Sequence, residues 1–151
     1  ADAVHLDPRV PYPSGTVDLH HEVEMVVAIG RDAVEPLRPG EGLAHVCGYG
    51  VGLDLTRRDL QAVAKDKRLP WDVAKGFDAS APVAPLRHVD DAGHPAPEAL
   101  LWLEVNGVRL FRLRAGDLVF MGTPAGVAAL QRGDRFRATL EGIAAFDGEI
   151  T

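Results

Sequence analysis

The sequence predicts a strand-dominated α+β domain, and three observations carry that prediction. Apolar–polar alternation of period two recurs in short stretches, clearest at 100–110 (LLWLEVNGVRL). Glycine and proline punctuate the rest, in RPGEG, GYGVG, AGHPAP, RAGD, GTPAGV and QRGD. Only one stretch, 56–65 (TRRDLQAVAK), has the composition of a helix.

The elements are expected in this order. Residues 1–16 are rich in proline (Pro8, Pro11, Pro13) and open at Ala1 without an initiator methionine, so they read as the interior of a protein. Strands are expected at 22–30 and 45–55, then the helix, with Thr56 and Asp59 spaced as a capping box that has a shorter acid than usual. Further strands are expected at 100–110, 117–122 and 135–141. No turn residue lies between Gly107 and Gly116, so either one long strand crosses there or residues are missing. At 151 residues the chain reads as a single domain, 1–151, with a core of useful size.

Composition narrows the function. The net charge of −6, with no basic cluster beyond KDKR at 65–68, argues against nucleic acid or an anionic membrane as partner. No segment approaches the length that spans a bilayer and no signal peptide is visible, so a cytoplasmic location is expected, mitochondrial in a eukaryote. The one cysteine, Cys47, forms no internal disulfide and lies in the apolar run AHVCGYGV, where it reads as core.

Glu22 and Glu24, in DLHHEVEMVVAIG, are the main chemical signal. On a strand, residues two apart share a face, so two carboxylates project together from an apolar ribbon. Like charges leaving water require a positive partner. A hard divalent cation supplies it, and Asp54 in GYGVGLDLT offers a third carboxylate. The plain alternative is a solvated acidic pair, which is how most such pairs behave.

The chain resembles the fumarylacetoacetate hydrolase family. The words that carry the likeness are DLHHEVEMVVAIGR, GYGVGLDLTRRDLQ, LPWDVAKGFDASAPVAP, LWLEVNG, and AGDLVFMGTPAGV with a following GD and EGIA. They stand in family order from residue 17 onward, and DLHHE with LPWDVAKGFD looks most like the acylpyruvate branch. The resemblance implies a mixed β-sheet roll with few short helices, and a homodimer. It also implies a further stretch, including a helix, between the VNG strand and the AGD turn, and a segment before Ala1. On that comparison residues are lacking near 109–111.

The resemblance assigns Glu22, Glu24 and Asp54 as ligands of Mg²⁺ or Mn²⁺; three carboxylates without cysteine or paired histidine suit these ions better than zinc. It implies a 2,4-dioxo acid substrate held through neighbouring oxygens, with the ion polarising the carbonyl under attack. Lys75, in AKGFD, is placed beside the metal, where its charge stabilises developing negative charge; by itself it reads as a surface lysine. Thr123, in GTPAGV, is placed at the substrate carboxylate, against the alternative of a plain turn. Arg58 and Gln61 share a helix face near the substrate, against a solvated face with Arg57 and Asp59 ion-paired.

His20 and His21 read first as satisfied structural histidines, with a supporting role behind the ligands as the alternative. His5, His45, His88 and His94 lack motif context and read as surface or loop residues. Trp71 and Phe77 read as packing around Lys75. The resemblance places the water-activating histidine and its glutamate partner in the segment before Ala1, so no general base is assigned. Hydrolysis of an acylpyruvate, fumarylpyruvate first, is the leading function. Oxaloacetate decarboxylation at the same site, hydration of a 2-oxo-dienoate, and a metal-binding dimerisation module are the alternatives.

Overall fold

The computed structural model describes residues 2–109 and 127–151. Strand outweighs helix, 38% to 16%, as the sequence predicts. The largest sheet has five strands in the order Val108–Arg109, Leu101–Val105, Arg135–Leu140, Ala144–Ile150 and Arg9–Val10. Its first four strands are antiparallel and the last pair is parallel. A second sheet holds Val23–Ile29, Val46–Leu53 and Arg87–His88, all antiparallel. A small third sheet joins Leu19–His20 to Ala129–Leu130 and Thr56–Arg57. A parallel two-stranded pair, Val4–His5 with Ala81–Pro82, completes the set.

Alternation builds one core between the sheets. Leu101, Leu103, Phe136, Ala138 and Leu140 come from the first sheet, and Val23, Tyr49, Val51 and Leu53 from the second. Burial of such side chains is worth about 1.5–3 kcal/mol each against leaving them in water. The polar face of the first sheet carries cross-strand pairs such as Arg135 opposite Glu149 and Arg137 opposite Asp147.

The expected strand at 100–110 is two strands. Asn106 and Gly107 both take positive φ, 51° and 80°, and reverse the chain with Val105 paired to Val108. Asn-Gly is the pair best suited to a two-residue hairpin turn, because both positions need left-handed backbone. Val108–Arg109 therefore returns along Leu101–Val105, and the strand expected at 117–122 lies outside the described residues. The strand Ala144–Ile150 and the short helices Asp72–Lys75 and Val89–Ala92 were not foreseen.

The long helix is Arg58–Asp66, and the capping box does not form. Its N-cap is Arg57 with no side-chain cap; Thr56 instead pairs with His20 in the third sheet. Strand pairing takes the residue that a cap would use. The start of the helix is held from outside, where the Arg58 amide donates to the Asp18 carbonyl at 2.8 Å. The helix closes through Arg68 at φ 54°, with the Leu69 amide donating to the Ala64 carbonyl at 2.8 Å.

The strand Val46–Leu53 explains its own glycines. Tyr49, Val51 and Leu53 face the core, while Gly48, Gly50 and Gly52 present bare backbone on the other side. Segment 82–88 crosses that bare face: a Cβ on Gly48 would stand 2.9 Å from the Arg87 carbonyl oxygen, and one on Gly52 3.1 Å from that of Pro82. Opposite Gly52, Gly50 and Gly48 on the neighbouring strand lie Glu24, Val26 and Ala28. The glycine stripe thus makes room beside Glu24. Gly48→Ala, which pushes a methyl against main chain, is expected to destabilise the fold by about 1–3 kcal/mol in urea unfolding; an unchanged midpoint would show that segment 82–88 is not seated there.

Candidate active site

The three carboxylates meet. Glu22, immediately before the strand Val23–Ile29, Glu24 within it and Asp54 just past Val46–Leu53 each present an oxygen, and all lie within 4.8 Å of one another. Antiparallel pairing does this, since Glu24 stands opposite Gly52 and the Asp54 amide donates to the Glu22 carbonyl at 2.7 Å. The side chains are sheltered without being sealed: Glu22 keeps 13% exposure and Asp54 38%. A cavity of about 260 Å³ opens beside them, lined by Glu24, Asp54 and Lys75 with Val26, Gly52 and Ser80.

Two cations enter the cluster from helices. Lys75, the last residue of Asp72–Lys75, donates from Nζ to Asp54 Oδ2 at 2.6 Å and to Glu22 Oε2 at 2.8 Å. Ala74 and Phe77, both buried, anchor the chain on either side and aim the lysine inward. It is not a surface lysine. Arg58, at the start of Arg58–Asp66, donates from Nη2 to Glu22 Oε1 at 2.8 Å and from Nη1 to Gln61 Oε1 at 2.7 Å. Gln61 is buried, so the face shared by Arg58 and Gln61 turns to the site and not to solvent. Arg57 and Asp59 do not form the surface pair expected of them. Arg57 lies over the Phe77 ring at 4.3 Å, and Asp59 bonds Thr16 and Val17.

Behind Glu22, His21 is 1% exposed, and burial, with His20 beside it, lowers its pKa to about 4. It is neutral at physiological pH, and its Nε2 meets no hydrogen-bond partner among the described residues. His20 bonds Asp18 at 2.9 Å. Phe77 packs in the core as expected, whereas Trp71 is half exposed under the Lys65 ammonium. Cys47 is only half-buried. His94 lies in an exposed segment and holds the Tyr49 hydroxyl at 2.8 Å, a tertiary contact that sequence gave no sign of. Thr123 lies outside the described residues.

The donor set fits a divalent cation. Oxygen-only carboxylate ligands at this mutual spacing are what a hard ion takes up. Among the described residues Lys75 and Arg58 bond this cluster, and a divalent ion would add two further positive charges to it. Among the described residues, no helix is long and apolar enough to cross a membrane.

Comparison with known proteins agrees with this geometry. The model of the family "Fumarylacetoacetate (FAA) hydrolase C-terminal" matches residues 2–112 and 108–151. A fumarylpyruvate hydrolase of a Ralstonia species is 37% identical over 159 residues, covering 89% of this chain and 80% of its own. The mitochondrial oxaloacetate tautomerase FAHD1 of Rattus norvegicus is 36% identical over 154 residues, covering 87% and 68%. The crystal structure of the Pseudomonas aeruginosa fumarylpyruvate hydrolase, in complex with Mn²⁺ and pyruvate, superposes with a TM-score of 0.84 at 37% identity, covering 100% of this chain and 76% of that one.

Because Lys75 bridges Glu22 and Asp54, Lys75→Met leaves those carboxylates facing each other with one cation fewer. In EDTA the variant is expected to melt lower by a few degrees, corresponding to about 1–2 kcal/mol for a partly exposed ion pair. Mn²⁺ should close most of that gap, because the ion supplies the missing charge. Equal melting of the two proteins in EDTA would remove Lys75 from the cluster.

Proposed function

The chain belongs to the fumarylacetoacetate hydrolase family, and from that premise we propose that it hydrolyses the carbon–carbon bond of an acylpyruvate, with fumarylpyruvate, giving fumarate and pyruvate, as the first substrate. The observation that carries the reading is the triad of carboxylates already threaded by two cations, Lys75 and Arg58, beside an open cavity. Glu22, Glu24 and Asp54 would hold Mg²⁺ or Mn²⁺. When bound, such an ion supplies Lewis acidity for a keto oxygen and for the charge that develops next to it.

The remaining chemistry falls to the chain. Water adds to the acyl carbonyl, the bond between that carbon and the pyruvate methylene breaks, and the electron pair passes to the departing pyruvate enolate, which then takes a proton. Lys75, fixed by two short bonds, places an ammonium where substrate oxygens gain charge during that step. Arg58, steadied by Gln61, offers a second fixed positive group to a carboxylate-bearing substrate. Thr123 is proposed to bind the substrate carboxylate. The binding partner is a small keto acid, and a homodimer is the proposed assembly.

Oxaloacetate is the second candidate substrate, because a relative of nearly equal identity is named an oxaloacetate tautomerase. Both substrates present a 2-oxo acid to the same groups. Purified protein incubated with fumarylpyruvate should release pyruvate, lose that activity in EDTA and regain it with Mg²⁺. Glu24→Ala should lower it at least about 100-fold with the fold retained. An unimpaired Glu24→Ala protein would overturn the metal role. Rapid keto–enol conversion or decarboxylation of oxaloacetate, without cleavage of any acylpyruvate, would move the assignment to the second substrate.

A further inference from the structure

Arg58 meets Glu22 only if two separate pieces of chain keep their spacing. Glu22 follows the strand Leu19–His20, which is entered through residues 16–18, and Arg58 opens the helix Arg58–Asp66. That helix start has no side-chain cap of its own. Pairing of Leu19–His20 with Thr56–Arg57 ties the entering strand to the residues just before it, and two further connections hold the helix start itself. One is main chain, from the Arg58 amide to the Asp18 carbonyl at 2.8 Å. The other is Asp59, whose Oδ1 accepts from the Thr16 hydroxyl at 2.6 Å and whose Oδ2 accepts from the Val17 amide at 3.1 Å.

We propose that Asp59 is a positioning residue for the active site: by binding Thr16 and Val17 it fixes Arg58 against Glu22 and so sets where the second cation meets a keto acid. This rests on the function proposed above. The geometry is directional. Asp59 is the immediate neighbour of Arg58 on the helix and turns away from the carboxylate cluster, so it touches neither a proposed ligand of the ion nor the cavity beside them. Its two oxygens bond successive residues, a hydroxyl at 16 and an amide at 17, and grip the strand entry at two points. A third bond, from the Leu60 amide to Oδ1 at 2.8 Å, ties the same carboxylate to its own helix turn. Burial alone would raise the Asp59 carboxyl, but these hydrogen bonds outweigh it and hold the pKa below the ordinary aspartate value. The carboxylate is therefore charged while it does this work.

A residue that acts through another leaves a signature in a double-mutant cycle: its effect vanishes once the other is removed. The probe is pyruvate, titrated calorimetrically into the Mn²⁺-loaded protein. Asp59→Ala and Arg58→Ala are each expected to weaken pyruvate binding by about 10-fold, as loss of one charged hydrogen-bonding group would. The double variant should be no weaker than Arg58→Ala within about 2-fold. Mn²⁺ affinity, measured separately, should hold in Asp59→Ala. Thr16→Val, which cuts the same link from the other side, should move pyruvate affinity in the same direction and less. Should Asp59→Ala fail to fold, Asp59→Asn, which keeps one acceptor oxygen for Thr16, enters the same cycle.

The proposal is overturned if the losses of the two single variants add in full, if pyruvate binds Asp59→Ala as it binds wild type, or if Asp59→Ala loses Mn²⁺ instead of pyruvate. A wild-type protein that takes up Mn²⁺ but no pyruvate would defeat the keto-acid reading itself, and this proposal with it. Additive losses in a protein that binds pyruvate defeat the proposal alone.

Discussion

Three carboxylates held within 4.8 Å of one another are the constraint on which the rest depends. Left to themselves they would repel, protonate or turn out to water. Lys75 and Arg58 offset that repulsion with two positive charges at hydrogen-bonding distance, and Glu22 gives one oxygen to each. Lys75 ends a helix pinned by buried Ala74 and Phe77, and Arg58 begins a helix tied to Asp18 and Thr16. Stabilisation of the acidic cluster and placement of cations for an anionic substrate are thus one arrangement.

The sheets supply the geometry and the glycines supply the space. Pairing of Glu24 with Gly52 brings Asp54 level with Glu22, and the bare Gly52 lets Pro82 and Val83 lie close against the strand beside the site. On the opposite face the same strand buries Tyr49, Val51 and Leu53, so the wall of the site is also a wall of the core. Alternation of glycine with large apolar residues in GYGVGL records both duties. It costs conformational entropy in the unfolded chain, offset by packing on the far face.

That much was legible, because strand periodicity is a local property. Residues two apart share a face whatever else the chain does, so Glu22 and Glu24 declared themselves, and the five-residue element Leu101–Val105 announced itself by alternation. What was not legible depended on partners distant in sequence. Thr56 looked like a cap until His20 claimed it for a strand pair, and Asp59 then served residues 16 and 17. Arg57 found the Phe77 ring, so the surface ion pair expected of the neighbouring Arg57 and Asp59 does not form. The reversal at Asn106–Gly107 is a different case: the turn signal was present, but the alternation running through VNGVRL masked it. Local pattern names the candidates, and tertiary competition decides which bonds they make.

Charge completes the reasoning about substrate. A keto acid approaching the acidic cluster brings negative charge of its own. A divalent ion would add two positive charges there and draw an anionic ligand in. Partial burial magnifies that effect, since Glu22 is largely withdrawn from water and its field is poorly screened. Under the proposed function, this favours an order in which the ion enters before the acid. It also explains why the cations must be fixed rather than mobile: an ammonium free to swing into solvent would leave the acidic cluster unbalanced without the ion and the substrate unheld with it. The short bonds of Lys75 to two different carboxylates, one beside each of two paired strands, hold it against that swing.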